Sequence, residues 1–311
     1  MRISILGFGL IGGSLARAIR RDTAATELGG SPIIGAWSPT GVGPSKALAD
    51  GIIDRSFKTV DEALAGADMI VLAAPPLACL ALLDVLAART RGALGQTATV
   101  TDVASTKAAL VVAADRGGLR FVGGHPMAGR ETTGYATATA SLFENRPWIV
   151  VPGAHALPID IERVERLARA AGARPRMMAA ADHDAAVAAI SHLPLVISAA
   201  LVEAVIGGAS HRPDWAAAEP LAASGWQSVT RLARGDVEMG VGIAATNAAA
   251  VASRLRDLRA VIDGWLADLD EIARADRAGS PGATAGPTAT PSIERLRGRL
   301  RQARENLESR P

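Results

Sequence analysis

The sequence predicts an α/β chain in which a doubly wound parallel sheet is followed by an all-α helical region. Three observations carry that expectation. A short apolar run at the start closes on a glycine-rich turn, apolar runs alternate with helical stretches up to about residue 155, and strand signals nearly vanish from Asp182 to about Leu269.

In chain order, Ile3, Ile5 and Leu6 form the first strand-like run, and Gly7, Gly9 and Gly12 follow with G-x-G-x-x-G spacing. An amphipathic stretch without Gly or Pro runs from Ser14 to Arg21. Strand, turn and helix is the order a dinucleotide site requires: Gly7 permits the tight turn, Gly9 removes a side chain where pyrophosphate approaches the backbone, and Gly12 lets the helix close on the strand. With Leu10 and Ile11 inside the turn, these residues aim free N–H groups at phosphate. Residues 1–155 are therefore read as a Rossmann-type NAD(P)-binding domain.

The stretch "SPIIGAWSPT" reads as the second strand, ending near Trp37. NAD sites commonly close this strand with an acid that binds the ribose 2′-OH and repels a 2′-phosphate. Here Ser38 and Thr40 stand instead, both able to donate to a phosphate. The expected cofactor is thus NAD(P), with NADP tolerated. "ADMIVLAAPP", "TATVTDVAS", "RFVGGHPMAG" and "RPWIVVPG" supply further strands, and "SKALADG" and "TKAALVVAADRG" are helical stretches between them.

From about Ile159 "IDIERVERLARAAG" opens the helical half, read as a substrate and dimerisation domain over 156–275. Its Ala, Val and Leu cover most helix faces and need partners on most faces, which predicts a homodimer. "RAGSPGATAGPTATPS" reads as a flexible linker over 276–292, and 293–311 as an isolated charged helix or tail.

The 311 residues are 49% hydrophobic with a net charge of +2, so a sizeable globular core is expected. Arginines spread along the chain and a single tyrosine argue against nucleic acid as a partner. Apolar stretches around Pro75 and Pro76, and around His192, Pro194 and Glu203, are too interrupted for membrane spans. The one cysteine, Cys79, cannot form an internal disulfide and no Cys/His spacing suits zinc, so no metal and a cytoplasmic location are expected.

Three segments present polar groups that chemistry can use: "TDVASTK", "GGHPMAG" and "SHLPLV". Ser105 and Lys107 follow a strand run ending near Val103, where Ser105 on its own reads as a helix N-cap. His125 sits between Gly124 and Pro126 on stiff backbone, and a positioned imidazole suits a general base. His192 reads as a core histidine or kink partner, and His183 as a helix-start residue flanked by Asp182 and Asp184.

Together, "GFGLIGGS", "TDVASTK", "GGHPMAGRETTG", "LFENRPWIV", "DHDAAVAAISHLP" and "SGWQSVTRLA", in this order from Met1 to about Leu269, resemble the prephenate and arogenate dehydrogenase family of tyrosine biosynthesis. The resemblance implies an oxidative decarboxylation. Prephenate gives hydride to a nicotinamide, loses CO2 and becomes 4-hydroxyphenylpyruvate; arogenate gives tyrosine. By similarity, His125 accepts the hydroxyl proton, Ser105 hydrogen-bonds it, Arg231 binds a substrate carboxylate, His192 lies at the domain junction and Glu131 near the mouth of the site. Two positions depart from many prephenate-using members: Leu195 replaces a second histidine, and Gln227 stands where some have lysine. Fewer cations near the substrate leave room for arogenate as the alternative substrate. A catalytically silent nucleotide-binding protein is the reading from another class. Between Asp182 and Leu269 there is no lysine, which argues against the reductases that rely on one in a helical domain.

Overall fold

The computed structural model describes residues 1–90, 98–207, 215–277 and 291–309. By its internal contacts the chain divides into one unit, Met1–Val251, and a second, Ala252–Pro311.

The first unit is built on one eight-stranded sheet. Its elements run β1 (Arg2–Leu6), α1 (Leu10–Ile19), α2 (Asp22–Leu28), β2 (Ile33–Trp37), α3 (Val42–Ala49), β3 (Arg55–Ser56), α4 (Val60–Leu64), β4 (Met69–Leu72), α5 (Pro76–Thr90), β5 (Thr99–Asp102), α6 (Ala108–Arg116), β6 (Phe121–Pro126), β7 (Pro147–Pro152), α7 (Pro158–Ala170) and β8 (Arg174–Met177). Spatially the order is β3-β2-β1-β4-β5-β6-β7-β8. The order reverses between β1 and β4, the place where an open α/β sheet leaves a crevice for a ligand.

All of β4 and β6 is buried, as a sheet covered on both faces requires. Successive side chains feed opposite layers. Ile3, Ile5 and Val71 join Leu15, Ile19 and Leu167 on one face, while Leu6, Ile70 and Leu72 join Leu83, Leu86 and Leu110 on the other.

Two features differ from the sequence reading. The sheet is parallel through β6, but β7 pairs antiparallel with β6, with His125 opposite Ile149, and β8 runs parallel to β7. The connection over residues 127–146 stays at the end of the sheet where β6 finishes, so the chain re-enters in the opposite direction. The expected domain boundary at 155/156 also falls too early. The helix "IDIERVERLARAAG" does not open the helical half: Val164, Leu167 and Ala168 on α7 share the sheet's core with Ile3, and β8 follows it into the sheet. Its Glu and Arg residues form the outer face of a layer helix.

After Met177 the chain is helical: α8 (Ala180–Val187), a π-turn (Ala188–His192), α9 (Leu193–Val205), α10 (Trp215–Ala218), α11 (Ser224–Thr230), α12 (Val237–Thr246) and α13 (Ala248–Arg277). The π-turn lies directly ahead of Pro194, whose missing N–H breaks the regular ladder. α9 is strongly apolar, yet only Ser198 on it is buried.

In the second unit, α14 (Pro291–Glu308) is clasped to α13. Asp268, itself buried, accepts from Arg295 Nε at 2.6 Å and Arg299 Nε at 3.0 Å, and Arg295 also donates to Ser292 Oγ and Glu271. The charged tail is therefore not isolated, because a buried carboxylate must find donors. Of the expected linker, residues 278–290 lie outside the described residues; 276 and 277 close α13, and 291 and 292 open α14.

A Cβ on Gly12 would lie 2.6 Å from the Gly7 carbonyl oxygen, whereas one on Gly9 would meet nothing within 4 Å. Gly12→Ala is expected to cost on the order of 2 kcal/mol of stability, and Gly9→Ala less than about 0.5 kcal/mol, in urea unfolding of the two variants.

Candidate functional site

At the end of β1 the chain turns through Gly7, whose φ is +91° and where a Cβ would lie 2.5 Å from the Ala73 carbonyl oxygen, leaving no room for a side chain. Its N–H donates to the Trp37 carbonyl at 2.8 Å, tying the turn to β2. Gly9 caps α1 with no side chain to satisfy the first helical N–H groups, including those of Leu10 and Ile11. The space a Cβ would take at Gly9 is open. Free N–H groups, a helix N-terminus and an open approach to backbone fit a pyrophosphate.

Just past β2, Ser38 Oγ accepts from the Gly41 N–H at 3.2 Å, which leaves the hydroxyl proton to donate outward, and Thr40 is exposed. The carboxylates nearest in sequence are engaged elsewhere. Asp50 accepts from Tyr135 at 2.9 Å, and Asp54 accepts from the Ile34 N–H at 2.7 Å and from Arg20.

A second cluster forms where β5, β6 and α8 meet. His125 Nδ1 lies 2.7 Å from His183 Nε2, and His183 Nδ1 lies 2.8 Å from Asp184 Oδ1. Asp184 also accepts from the backbone N–H groups of Lys107 at 2.8 Å and Ala108 at 2.9 Å. A carboxylate cannot donate, so His183 carries its proton on Nδ1, accepts at Nε2, and receives the Nδ1–H of His125. The lone pair of His125 Nε2 is then left to take a proton.

Burial holds the His125 imidazole well below its ordinary value, reinforced by the charge of Lys107 and by the neighbouring His183 and His192. Burial pushes the Asp184 carboxyl up, but the His183 ring and the Ala108 and Lys107 amides together hold it below the ordinary carboxylate value. The base is neutral and its anchor is charged across the physiological range.

His192 is fully buried, and its Nδ1 accepts from Asn247 Nδ2 at 3.1 Å. The same Asn247 amide donates to the Asp184 carbonyl at 2.8 Å. This matches the core-histidine reading of the sequence, with the proton on Nε2. Burial lowers the imidazole to about 4, against the opposing pull of Asp184 and the Ser105 carbonyl. Ser105 lies half-buried in the loop between β5 and α6. It does not cap α6, whose N-cap is Lys107, and none of the described hydrogen bonds occupies its hydroxyl. The same loop is tied to α12 by the Thr106 and Thr246 hydroxyls at 2.7 Å.

Arg231 follows α11 and forms an ion pair with Glu131, from the loop after β6. Gln227 is exposed on α11, one turn earlier. Of the residues singled out in the sequence, Ser105, His125 and His192 converge around α8, and Glu131 meets Arg231. His183 and Asp184 were read only as parts of a helix start. Their signal was the D-H-D triplet itself, whose partners are distant in sequence.

The family model described as the nucleotide-binding domain of prephenate dehydrogenase matches residues 15–177, and the one described as its dimerization domain matches residues 179–276. The join coincides with the end of β8. A prephenate dehydrogenase from Bacillus subtilis (strain 168) is 30% identical over 273 residues, 87% of this chain and 68% of its own. The cyclohexadienyl dehydrogenase of Zymomonas mobilis is 27% identical over 275 residues, 87% of this chain and 86% of its own. The crystal structure of Synechocystis arogenate dehydrogenase aligns with a TM-score of 0.71 at 29% identity, covering 99% of this chain and 100% of that one. That of prephenate dehydrogenase from A. aeolicus, in complex with hydroxyphenyl propionate and NAD+, has a TM-score of 0.78 over 99% and 98% of the two chains at 23% identity, a likeness of fold.

Burial of His192 has a consequence for stability. The unfolded chain protonates this ring near 6.5 and the folded chain near 4, so its contribution is complete above pH 6.5 and is lost as pH falls through about 4. Stability is expected to decline by roughly 3 kcal/mol over that window, and the decline to flatten in His192→Asn. Urea midpoints at a series of pH values check this; identical slopes in the two proteins would refute it.

Proposed function

Because the chain belongs to the prephenate dehydrogenase family, we propose that it oxidises prephenate, or its amino counterpart arogenate, with loss of CO2 in tyrosine biosynthesis. It is an NAD(P)-dependent oxidoreductase. The observation that carries the proposal is the chain of hydrogen bonds from Asp184 through His183 to His125.

The glycine turn and the N–H groups at the start of α1 would hold the pyrophosphate of the dinucleotide, which would supply the acceptor for the hydride from the ring carbon that bears the hydroxyl. His125 Nε2 takes the proton of the substrate hydroxyl as the ring carbon that bears it becomes a carbonyl carbon. The C–C bond to the ring carboxylate then breaks, CO2 departs and its electron pair completes the aromatic ring. The Ser105 hydroxyl, not occupied by any described hydrogen bond, is available to hold the reacting oxygen. Asp184 keeps His183 in the tautomer that orients His125 and stabilises the imidazolium that forms.

Arg231 supplies a planar guanidinium for a substrate carboxylate. Its present partner Glu131 is itself a carboxylate, so substrate binding exchanges one carboxylate for another. Leu195 and Gln227 add no cation near the substrate side chain, which leaves room for the amino group of arogenate beside the keto acid of prephenate. Ser38 and Thr40, with no acid at the end of β2, admit NADP beside NAD. A second copy of the chain covers the exposed apolar residues Ile190, Val229, Val237 and Val241, in keeping with a homodimer. The single buried cysteine accords with a cytoplasmic enzyme.

Reduced nicotinamide should accumulate when prephenate or arogenate is paired with NAD or NADP, and the four initial rates rank substrate and cofactor. His125→Asn should lower kcat by about a thousandfold while leaving the cofactor titration unchanged. No rate in any of the four pairings, with cofactor bound, would select the silent nucleotide-binding reading.

Arg231→Lys tests the carboxylate contact separately. It keeps the charge but loses the bidentate fork, so KM should rise about tenfold or more with a smaller change in kcat. An unchanged KM would remove Arg231 from the binding site.

A further inference from the structure

Behind His125 lies a pair of opposite charges that the reaction does not consume. Asp102, at the end of β5, and Lys107, ahead of α6, are both fully buried and joined by a salt bridge. The Asp102 carboxylate also accepts from the Gly124 N–H at 3.0 Å and the Ala104 N–H at 2.9 Å. Gly124 immediately precedes His125. A Cβ on Gly124 would lie 2.5 Å from the Asp102 carbonyl oxygen, and one on Gly123 would lie 3.1 Å from Lys107 Cδ, so both residues run directly against the backbone that carries the candidate base. Burying two charges costs several kcal/mol per ion before their attraction is counted, and a well-fitted apolar pair often serves stability as well. Stability alone does not account for placing them here.

We propose that the Asp102–Lys107 pair is a positioning device for His125: the carboxylate pins the backbone at Gly124, and the ammonium keeps a fixed positive charge behind the imidazole, so that the ring rests neutral and ready to take a proton. This rests on His125 being the base. The ionisable groups facing His125 are Lys107 from the β5–α6 loop, His183 from α8 and His192 from the π-turn. Two of them are imidazoles. Lys107 alone carries a permanent charge, and its sign disfavours the imidazolium. Burial pushes the Asp102 carboxyl above its ordinary value, against the opposing pull of Lys107 and the Gly124 and Ala104 amides.

The double variant Asp102→Asn, Lys107→Met removes both charges without leaving either unpaired. The acid limb of its kcat/KM profile, and the His125 proton resonance followed by NMR against pH, should move to higher pH by about one pH unit. A purely structural role would lower the melting temperature and leave the limb where it was, and that result in a folded double variant would overturn the proposal. The wild-type resonance is a second check that needs no variant: titration of His125 at or above 6.5 would also overturn it. The His125→Asn protein assigns the resonance and separates the two readings. Full turnover in that variant would sink His125 as the base, whereas a dead His125→Asn with an unmoved limb in the double variant would sink only the role of the pair.

Discussion

One carboxylate, Asp184, is the tie between the sheet and the helices that follow it. It accepts from two backbone amides at the start of α6 and from the ring of His183, and the backbone carbonyl of the same residue accepts from Asn247. Each bond would be modest alone, but a buried carboxylate left short of donors costs far more than a single bond contributes. The start of α6, α8 and the residue between α12 and α13 therefore meet at one residue, the first two through its desolvated charge and the last through its backbone carbonyl. The two imidazoles that depend on it inherit their tautomers from it, His183 directly and His125 at one remove. Geometry, protonation and the join of sheet to helices thus have a common cause.

Much of this could be read from the sequence, and what could not has identifiable reasons. The first strand, its glycine turn and the histidine between Gly124 and Pro126 are local patterns whose meaning is carried within a few residues, and each falls where expected. His183 has only an ordinary local meaning as a histidine beside acids at a helix start, because the partner that redefines it is 58 residues away. β8 is hidden for a different reason. "RPRM" lies on an exposed edge with no apolar face to alternate, so hydrophobic periodicity had nothing to report. α7 was recognised as a helix but given to the wrong layer, since amphipathicity says that one face is covered and not by what. The clasp of Arg295 and Arg299 on Asp268 joins residues about thirty apart across a glycine- and proline-rich stretch, beyond the reach of local charge patterning.

The two halves of the site follow opposite electrostatic rules. Around His125 every charge is buried and fixed, with its donors supplied by backbone or by a neighbour of opposite sign. Such groups cannot reorganise during a reaction, which is what preorganised stabilisation requires. At the rim, Arg231 and Glu131 are partly exposed, with side chains 57% and 35% accessible. A pair in that setting is worth little, because water competes for both partners. The exposed pair is therefore weak, while the charges around His125 are held by buried partners.

This division bears on how two substrates that share a ring could be told apart. Prephenate and arogenate carry the same ring carboxylate and hydroxyl and differ in the side chain, a keto acid in one and an amino acid in the other. In the proposed site the buried cluster meets only what they share and so does not discriminate. Discrimination there falls to half-buried Leu195 and exposed Gln227, where the absence of a cation removes a reason to prefer the keto acid and a repulsion that would otherwise exclude an ammonium. On that proposed assignment, the features that make the chemistry rigid and those that choose the substrate occupy different residues, and one can change while the other stays as it is.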